Sequence, residues 1–254
     1  MRLFRIGSSL IPFASHPVMR KDAPTPLNWV DIAEERLASI GQRYSKKNFR
    51  FSMHPGQFNV LNSEKSSVVE RTVAELDYAC RVLELMGLDT SHKVVLHGGC
   101  RCGDINIATE RLVEAVHSLP KRISNRLVLE NDERTFSLEQ IITACEAANV
   151  PAVFDIHHHH ILPSKNLPKL LRRLRKTWKD RDELPKFHIS SQRPKSKSGA
   201  HDDMVLPKDV KELCNMASFP FDLMVEAKHK ETATLDVMKS VKKLGCFYSP
   251  SSVK

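Results

Sequence analysis

Six residues with metal-ligand chemistry recur along the chain: His54, His97, Glu130, Asp155, His188 and Glu226, at intervals of 43, 33, 25, 33 and 38 residues. The spacing is close to one strand-plus-helix unit each time. A lone histidine at a strand end is an ordinary polar residue, and a lone Asp or Glu there is as readily a helix cap. Six in phase with a structural repeat are not independent accidents. Imidazole and carboxylate donors without thiolate suit Zn²⁺ or Mn²⁺. Their number exceeds the three protein ligands of a usual catalytic zinc ion. The pattern therefore predicts a multinuclear cluster with a bridging carboxylate such as Glu130. Clusters of this kind bind an attacking hydroxide and stabilise both oxygens of an in-line phosphoryl displacement. His158, His201 and Asp203 are further candidate ligands in the loops beyond the strands. In the run His157-His158-His159-His160, one or two rings are expected to reach metal while the others make supporting hydrogen bonds.

Such ligands need a scaffold that gathers strand ends. The apolar runs Leu3–Ile6, Phe49–Met53, Lys93–Leu96, Arg126–Leu129, Ala152–Phe154, Lys186–Ile189 and Phe221–Val225 read as short, fully buried parallel strands. Helix-period segments separate them. Val69, Val73, Leu76, Cys80, Leu83 and Met86 form one apolar stripe. Ser67 with Glu70 and Ser137 with Gln140 have capping-box spacing. Alternating strands and helices imply right-handed crossovers and a parallel sheet. The expected fold is α/β, a TIM-barrel-like (β/α) barrel with about seven strands where a closed barrel has eight, and its ligands lie around one rim. A single domain over 1–248 and a polar tail over 249–254 are expected. The strand deficit means either that a unit is missing at the N-terminus or that the barrel is open on that side. An open barrel edge then predicts poor solubility.

The chain has 254 residues, 41% of them hydrophobic and 27% charged, with a net charge of +9. That composition is globular, and the basic balance suits a polyanionic partner. No apolar run approaches the ~20 residues of a membrane span, and no signal peptide is recognisable. Scattered cysteines favour a reducing cytoplasmic setting. Cys100-Arg101-Cys102 lacks zinc-knuckle spacing and reads as two loop thiols. No glycine motif for a nucleotide cofactor is present. Lys165–Lys179 reads as a basic amphipathic helix over Leu167, Leu170, Leu171, Leu174 and Trp178.

Longer segments carry a family resemblance. Phe4 to Pro17 (FRIGSSLIPFASHP), Ser52 to Phe58 (SMHPGQF), Leu129 to Asp132 (LEND), Phe154 to His158 (FDIHH), Lys186 to Ser191 (KFHISS) and Met224 to Lys228 (MVEAK) closely resemble UV damage endonucleases. A weaker likeness to endonuclease IV resides in the three-metal ligand plan. The resemblance implies a TIM-barrel DNA repair enzyme with divalent metals, Mn²⁺ foremost and Zn²⁺, Mg²⁺ or Co²⁺ as alternatives. It implies cleavage of double-stranded DNA on the 5′ side of cyclobutane dimers, 6-4 products and abasic sites, leaving a 3′-hydroxyl and a 5′-phosphate. The implied ligands are His54, His97, Glu130, Asp155, His158, His188, His201 and Glu226, with Asp203 a further member. Glu130 and Glu226 are expected to be catalytically indispensable. Lys186, on the strand face of His188, is either a carboxylated ligand or a cation for the scissile phosphate. Gln57 and Phe58 are expected to enter the duplex at the lesion. His16 and Asn131 join them at the DNA, and Arg193, Lys195, Lys197 and Lys228 contact phosphates. The competing readings are a non-catalytic damage-binding fragment and a metal-dependent sugar isomerase.

Overall fold

Short runs of Val, Leu, Ile and Phe become strands, and the amphipathic stretches between them become helices. The computed structural model describes residues 3–19, 28–101, 103–179 and 183–246. The expected tail over 249–254 lies outside them. In chain order the elements are β1 (Leu3–Ile6), a 3-10 turn (Pro17–Met19), α1 (Trp29–Ser45), β2 (Arg50–Met53), α2 (Ser66–Leu85), β3 (Lys93–His97), α3 (Ile105–Ser118), α4 (Lys121–Ser124) and β4 (Leu127–Glu130). Then follow α5 (Leu138–Ala148), β5 (Ala152–Asp155), α6 (Ile156–Ile161), α7 (Leu167–Thr177), β6 (Lys186–Ile189), α8 (Pro207–Met216), β7 (Asp222–Val225) and α9 (Lys230–Lys243). All seven strand expectations are met within a residue of their ends. The shifts matter at three places, because His97, Glu130 and Asp155 are themselves the last residues of their strands.

Two compact units divide the chain, 1–129 with 143–151 and 130–142 with 152–254. In the first, β1, β2 and β3 pair in parallel, Ile6 level with Met53 and Met53 with Val94. Met53, Leu76, Cys80, Leu83, Val95, Leu96 and Leu112 form its buried core. Arg126 ties the entry to β4 to the turn before β3. Its guanidinium donates to the carbonyls of Leu88, at 2.6 Å, of His92, at 3.1 Å, and of Asp89. Gly41 lets α1 approach the end of α2, since a Cβ there would sit 1.7 Å from the Met86 carbonyl oxygen.

In the second unit β5 pairs with β6 and β6 with β7, again in parallel, Asp155 level with His188 and His188 with Met224. The basic segment does form a helix, α7, with Leu170, Leu171 and Leu174 buried. Each such leucine contributes about 1.5–3 kcal/mol by leaving water. The Trp178 indole N–H donates to the Ala152 carbonyl at 2.7 Å, which docks the end of α7 on β5.

The expected caps fare differently. The Gln140 Oε1 accepts from the Ser137 N–H at 2.8 Å and from its hydroxyl at 2.9 Å, so half of that capping box forms. At α2 the helix begins at Ser66, two residues earlier than the box requires, and Lys65 stands at the cap without a side-chain bond. A Ser63 hydroxyl accepting from the Lys65 N–H, at 3.2 Å, sets that earlier start.

Candidate metal centre

Within the second unit, residues from four strands and one helix start converge. Glu130 ends β4, Asp155 ends β5, His188 lies in β6, and Glu226 directly follows β7. All four are buried. His188 Nδ1 lies 2.8 Å from Glu130 Oε1 and 3.0 Å from Glu226 Oε1. His158 comes from the first turn of α6. Its Nδ1 donates to the Asn131 carbonyl at 2.8 Å, which fixes that ring's tautomer. Glu130, Asp155 and His158 each offer a donor atom, all within 4.8 Å of one another.

Asp155 has two tasks. Its Oδ1 accepts from the His158 N–H at 2.9 Å and caps α6. Its Oδ2 is buried without a hydrogen-bond partner. Asn131 holds the backbone behind it: the amide nitrogen donates to the Asp155 carbonyl at 3.0 Å, and the amide oxygen accepts from the Asp155 N–H at 2.9 Å. Fully buried and occupied in this way, Asn131 corrects the expectation of a DNA-facing residue. Its place is behind the donor residues, holding the end of β4 to β5.

Three buried carboxylates around two imidazoles need positive charge. Burial disfavours charge on His158, but Asp155, Glu130 and Glu133 prevail and push its pKa up to about 9. His188 follows the same balance, with burial overcome by Glu130 and Glu226, and also rises to about 9. Divalent cations would supply the same compensation. The donor chemistry and the orphaned Asp155 oxygen both fit them.

The other predicted residues are placed as follows. Lys186 is fully buried, two residues before His188 on β6. His201 Nδ1 is 3.8 Å from Glu226 Oε2, whereas the Asp203 carboxylate pairs with Arg193 at 3.6 Å. Lys195, Lys197 and Lys228 are exposed. In the first unit the His54 and His97 rings meet edge to face with centroids 4.9 Å apart. The Pro55 carbonyl lies 3.1 Å from His54 Nδ1, so that nitrogen carries the proton. Phe58 is 84% exposed, and the turn carrying it and Gln57 closes through the Asn59 N–H donating to the Gly56 carbonyl at 2.9 Å. His16 is exposed, with its Nδ1 accepting from the Val18 N–H at 3.2 Å.

The histidine run divides by helix phase. His158 joins the donor group with Glu130 and Asp155. His157 packs against His201, with ring centroids 5.7 Å apart, and burial lowers its pKa against the pull of Asp155. His159 packs on Phe154, and His160 pairs with Glu212 at 3.1 Å. One participant was missed: Glu133, whose Oε2 lies 3.7 Å from His158 Nε2. A third carboxylate within Glu130-Asn131-Asp132-Glu133 was the available signal. Cys100 is also corrected. It is disulfide-bonded, and its N–H and carbonyl are both held by the Asn62 side chain, at 3.0 and 2.7 Å. Cys102 lies outside the described residues.

Seven parallel strands interleaved with helices, ending in buried imidazoles and carboxylates, define a TIM-barrel-like protein with a metal-type donor cluster. Comparison with known proteins narrows this class. The UV-endonuclease UvdE family matches residues 1–251, and the chain belongs to that family. UV DNA damage endonuclease from Bacillus mycoides (strain KBAB4) is 32% identical over 240 residues, covering 93% of this chain and 74% of the relative. The crystal structure of SacUVDE superposes with a TM-score of 0.86 at 34% identity, covering 97% of this chain and 82% of that one. Endonuclease IV from Thermus thermophilus shares the fold alone, with a TM-score of 0.60 at 13% identity over 95% of this chain and 98% of that one. The chain is therefore a DNA repair endonuclease of the UV-damage family. Among the described residues no helix is long and apolar enough to cross a membrane.

Proposed function

We propose that this endonuclease cuts double-stranded DNA on the 5′ side of UV photoproducts, cyclobutane dimers and 6-4 products, and also at abasic sites, leaving a 3′-hydroxyl and a 5′-phosphate. The observation that carries the reading is the buried cluster of Glu130, Asp155, His158, His188 and Glu226 in a chain of this family. These residues, with His201, would hold two or three divalent ions, Mn²⁺ by preference. His54 and His97 are proposed as further ligands, and Asp203 as an outlying one. When bound, such ions supply electrophilic charge for an in-line displacement at phosphorus.

The chain's own groups do the rest. Asn131 keeps the end of β4 in register with β5, so the carboxylates of Glu130 and Asp155 stay aimed. Glu130 and Glu226 orient His188 from two sides. Lys186 is either a carboxylated ligand or a cation paired with the scissile phosphate. Phe58 offers a ring on which a displaced base can stack, and Gln57 an amide that can replace a lost base-pair bond. His16 lines the DNA in this reading, and Arg193, Lys195, Lys197 and Lys228 neutralise phosphates.

The test is nicking of supercoiled plasmid, irradiated, untreated or depurinated, with Mn²⁺ or with EDTA. Nicking of irradiated DNA that needs metal and is lost in Glu226→Gln is the expected result. Nicking confined to depurinated DNA would move the assignment to an abasic-site enzyme. Metal-loaded, folded protein that binds irradiated DNA without cutting it would make the chain a damage-binding protein instead.

A further inference from the structure

Away from this cluster, the second unit gathers another set of donors. His160 on α6 and Asp209 and Glu212, one turn apart on α8, each offer an atom, all within 4.8 Å of one another. His160 Nε2 lies 3.1 Å from Glu212 Oε2. Asp209 is only 5% exposed. Its carboxylate receives a hydrogen bond from the Ser191 hydroxyl on Oδ2. Among the described residues no lysine or arginine pairs with it.

A buried carboxylate held by one hydroxyl is poorly compensated, because a neutral donor shares its charge without cancelling it. The second carboxylate, Glu212, adds repulsion at close range. A divalent cation would relieve both. One imidazole and two carboxylates make three protein donors, the number found in an open-sided zinc site. An imidazole in the set favours Zn²⁺ or a similar first-row ion over Mg²⁺ or Ca²⁺.

We propose that His160, Asp209 and Glu212 form a separate divalent-cation site of the zinc class, which fastens α6 to α8. The consequence for the strand-end cluster is mechanical. His158 and His160 share one short helix, so an ion on the outer side of α6 steadies the helix that presents His158. Ser191 extends the tie toward β6. It accepts the Leu206 N–H at 2.8 Å while donating to Asp209, and so links the end of β6 to the start of α8.

Chelator-stripped protein is brought to equilibrium by dialysis at micromolar free Zn²⁺, and zinc per chain and Tm are measured. His160→Ala and Glu212→Gln, both at partly exposed positions, should each bind one Zn²⁺ fewer than the parent chain and show a smaller zinc-induced rise in Tm. Glu130→Gln should lose ions of the strand-end cluster yet keep this one. A double variant, Glu130→Gln with His160→Ala, separates the two losses, which should add. Equal zinc content in the parent chain, His160→Ala and Glu212→Gln would overturn the proposal and leave His160 and Glu212 as a plain imidazole–carboxylate pair. Loss of all zinc in Glu130→Gln would overturn it equally, since the site would not be separate.

Discussion

Replacing Asn131 by alanine isolates what holds the donor cluster in place. The amide makes two hydrogen bonds to the backbone of Asp155, at 3.0 and 2.9 Å, in a fully buried setting. Each lost bond removes about 0.5–1.5 kcal/mol, and each backbone group left unpaired in the interior costs about 1–3 kcal/mol. A total near 3 kcal/mol is expected, because part of the second cost is already counted in the first. For a chain of this size that lowers Tm by about 6–12 °C. The assay is urea and thermal unfolding by far-UV circular dichroism, in EDTA so that lost metal affinity does not contribute, and again with Mn²⁺. Asn131→Asp refines it. The carboxylate can still accept the Asp155 N–H, but it adds an anion beside Glu130 and Asp155. Its deficit should be large in EDTA and shrink when Mn²⁺ is added. The reasoning is refuted if Asn131→Ala unfolds within about 0.5 kcal/mol of the parent chain in EDTA, the range of an ordinary surface change. Weakened DNA binding in such a stable variant would put Asn131 at the DNA after all.

Four further outcomes are expected. Glu226→Gln removes a partner of both His188 and His201, and nicking of irradiated plasmid should fall by more than about 100-fold with the circular dichroism spectrum unchanged; activity within a few fold would sink the ligand role. Phe58→Ala, at a position 84% exposed, should leave stability intact yet weaken damaged-duplex binding by about 1–3 kcal/mol, the worth of one stacked base, as read by fluorescence anisotropy. Lys195→Ala with Lys197→Ala should flatten the plot of log affinity against log salt by about two units, and an unchanged slope would remove both from the phosphate contacts. Burial pushes the Cys80 thiol from 9.0 up to about 12. Its raised folded-state value gives stability that is complete below pH 9 and is lost as pH rises toward 12, so Cys80→Ala should lose less stability than the parent chain in urea titrations over that window.

Much of the donor cluster was legible because polar residues at the ends of apolar runs break a pattern that burial otherwise enforces. Glu130, Asp155 and His188 stand out for that reason, and their strand phase follows from the runs themselves. Other features depend on tertiary contact and leave little local trace. Asn131 and Asp155 are separated by a full helix in sequence, so nothing around Asn131 shows that its amide closes on the next strand. Ser191 and Asp209 meet across the β6–α8 connection in the same way. The histidine run was ambiguous for another reason. Four identical residues carry no composition signal, and only the rotation of α6 separates the ring beside Glu130 from the one beside Glu212. At α2 the capping pattern misled because Ser63, upstream of the box, sets the start of the helix.

The divided carboxylate of Asp155 also supplies a reporter. One oxygen holds the His158 amide hydrogen and the other is buried without a hydrogen-bond partner. An ion drawn to the second oxygen restrains the side chain whose first oxygen protects that amide. Deuterium uptake at the His158 N–H should therefore slow as metal fills the cluster and quicken as chelator empties it. A single backbone proton can serve as an occupancy gauge, readable without DNA, without turnover and without a spectroscopically active ion.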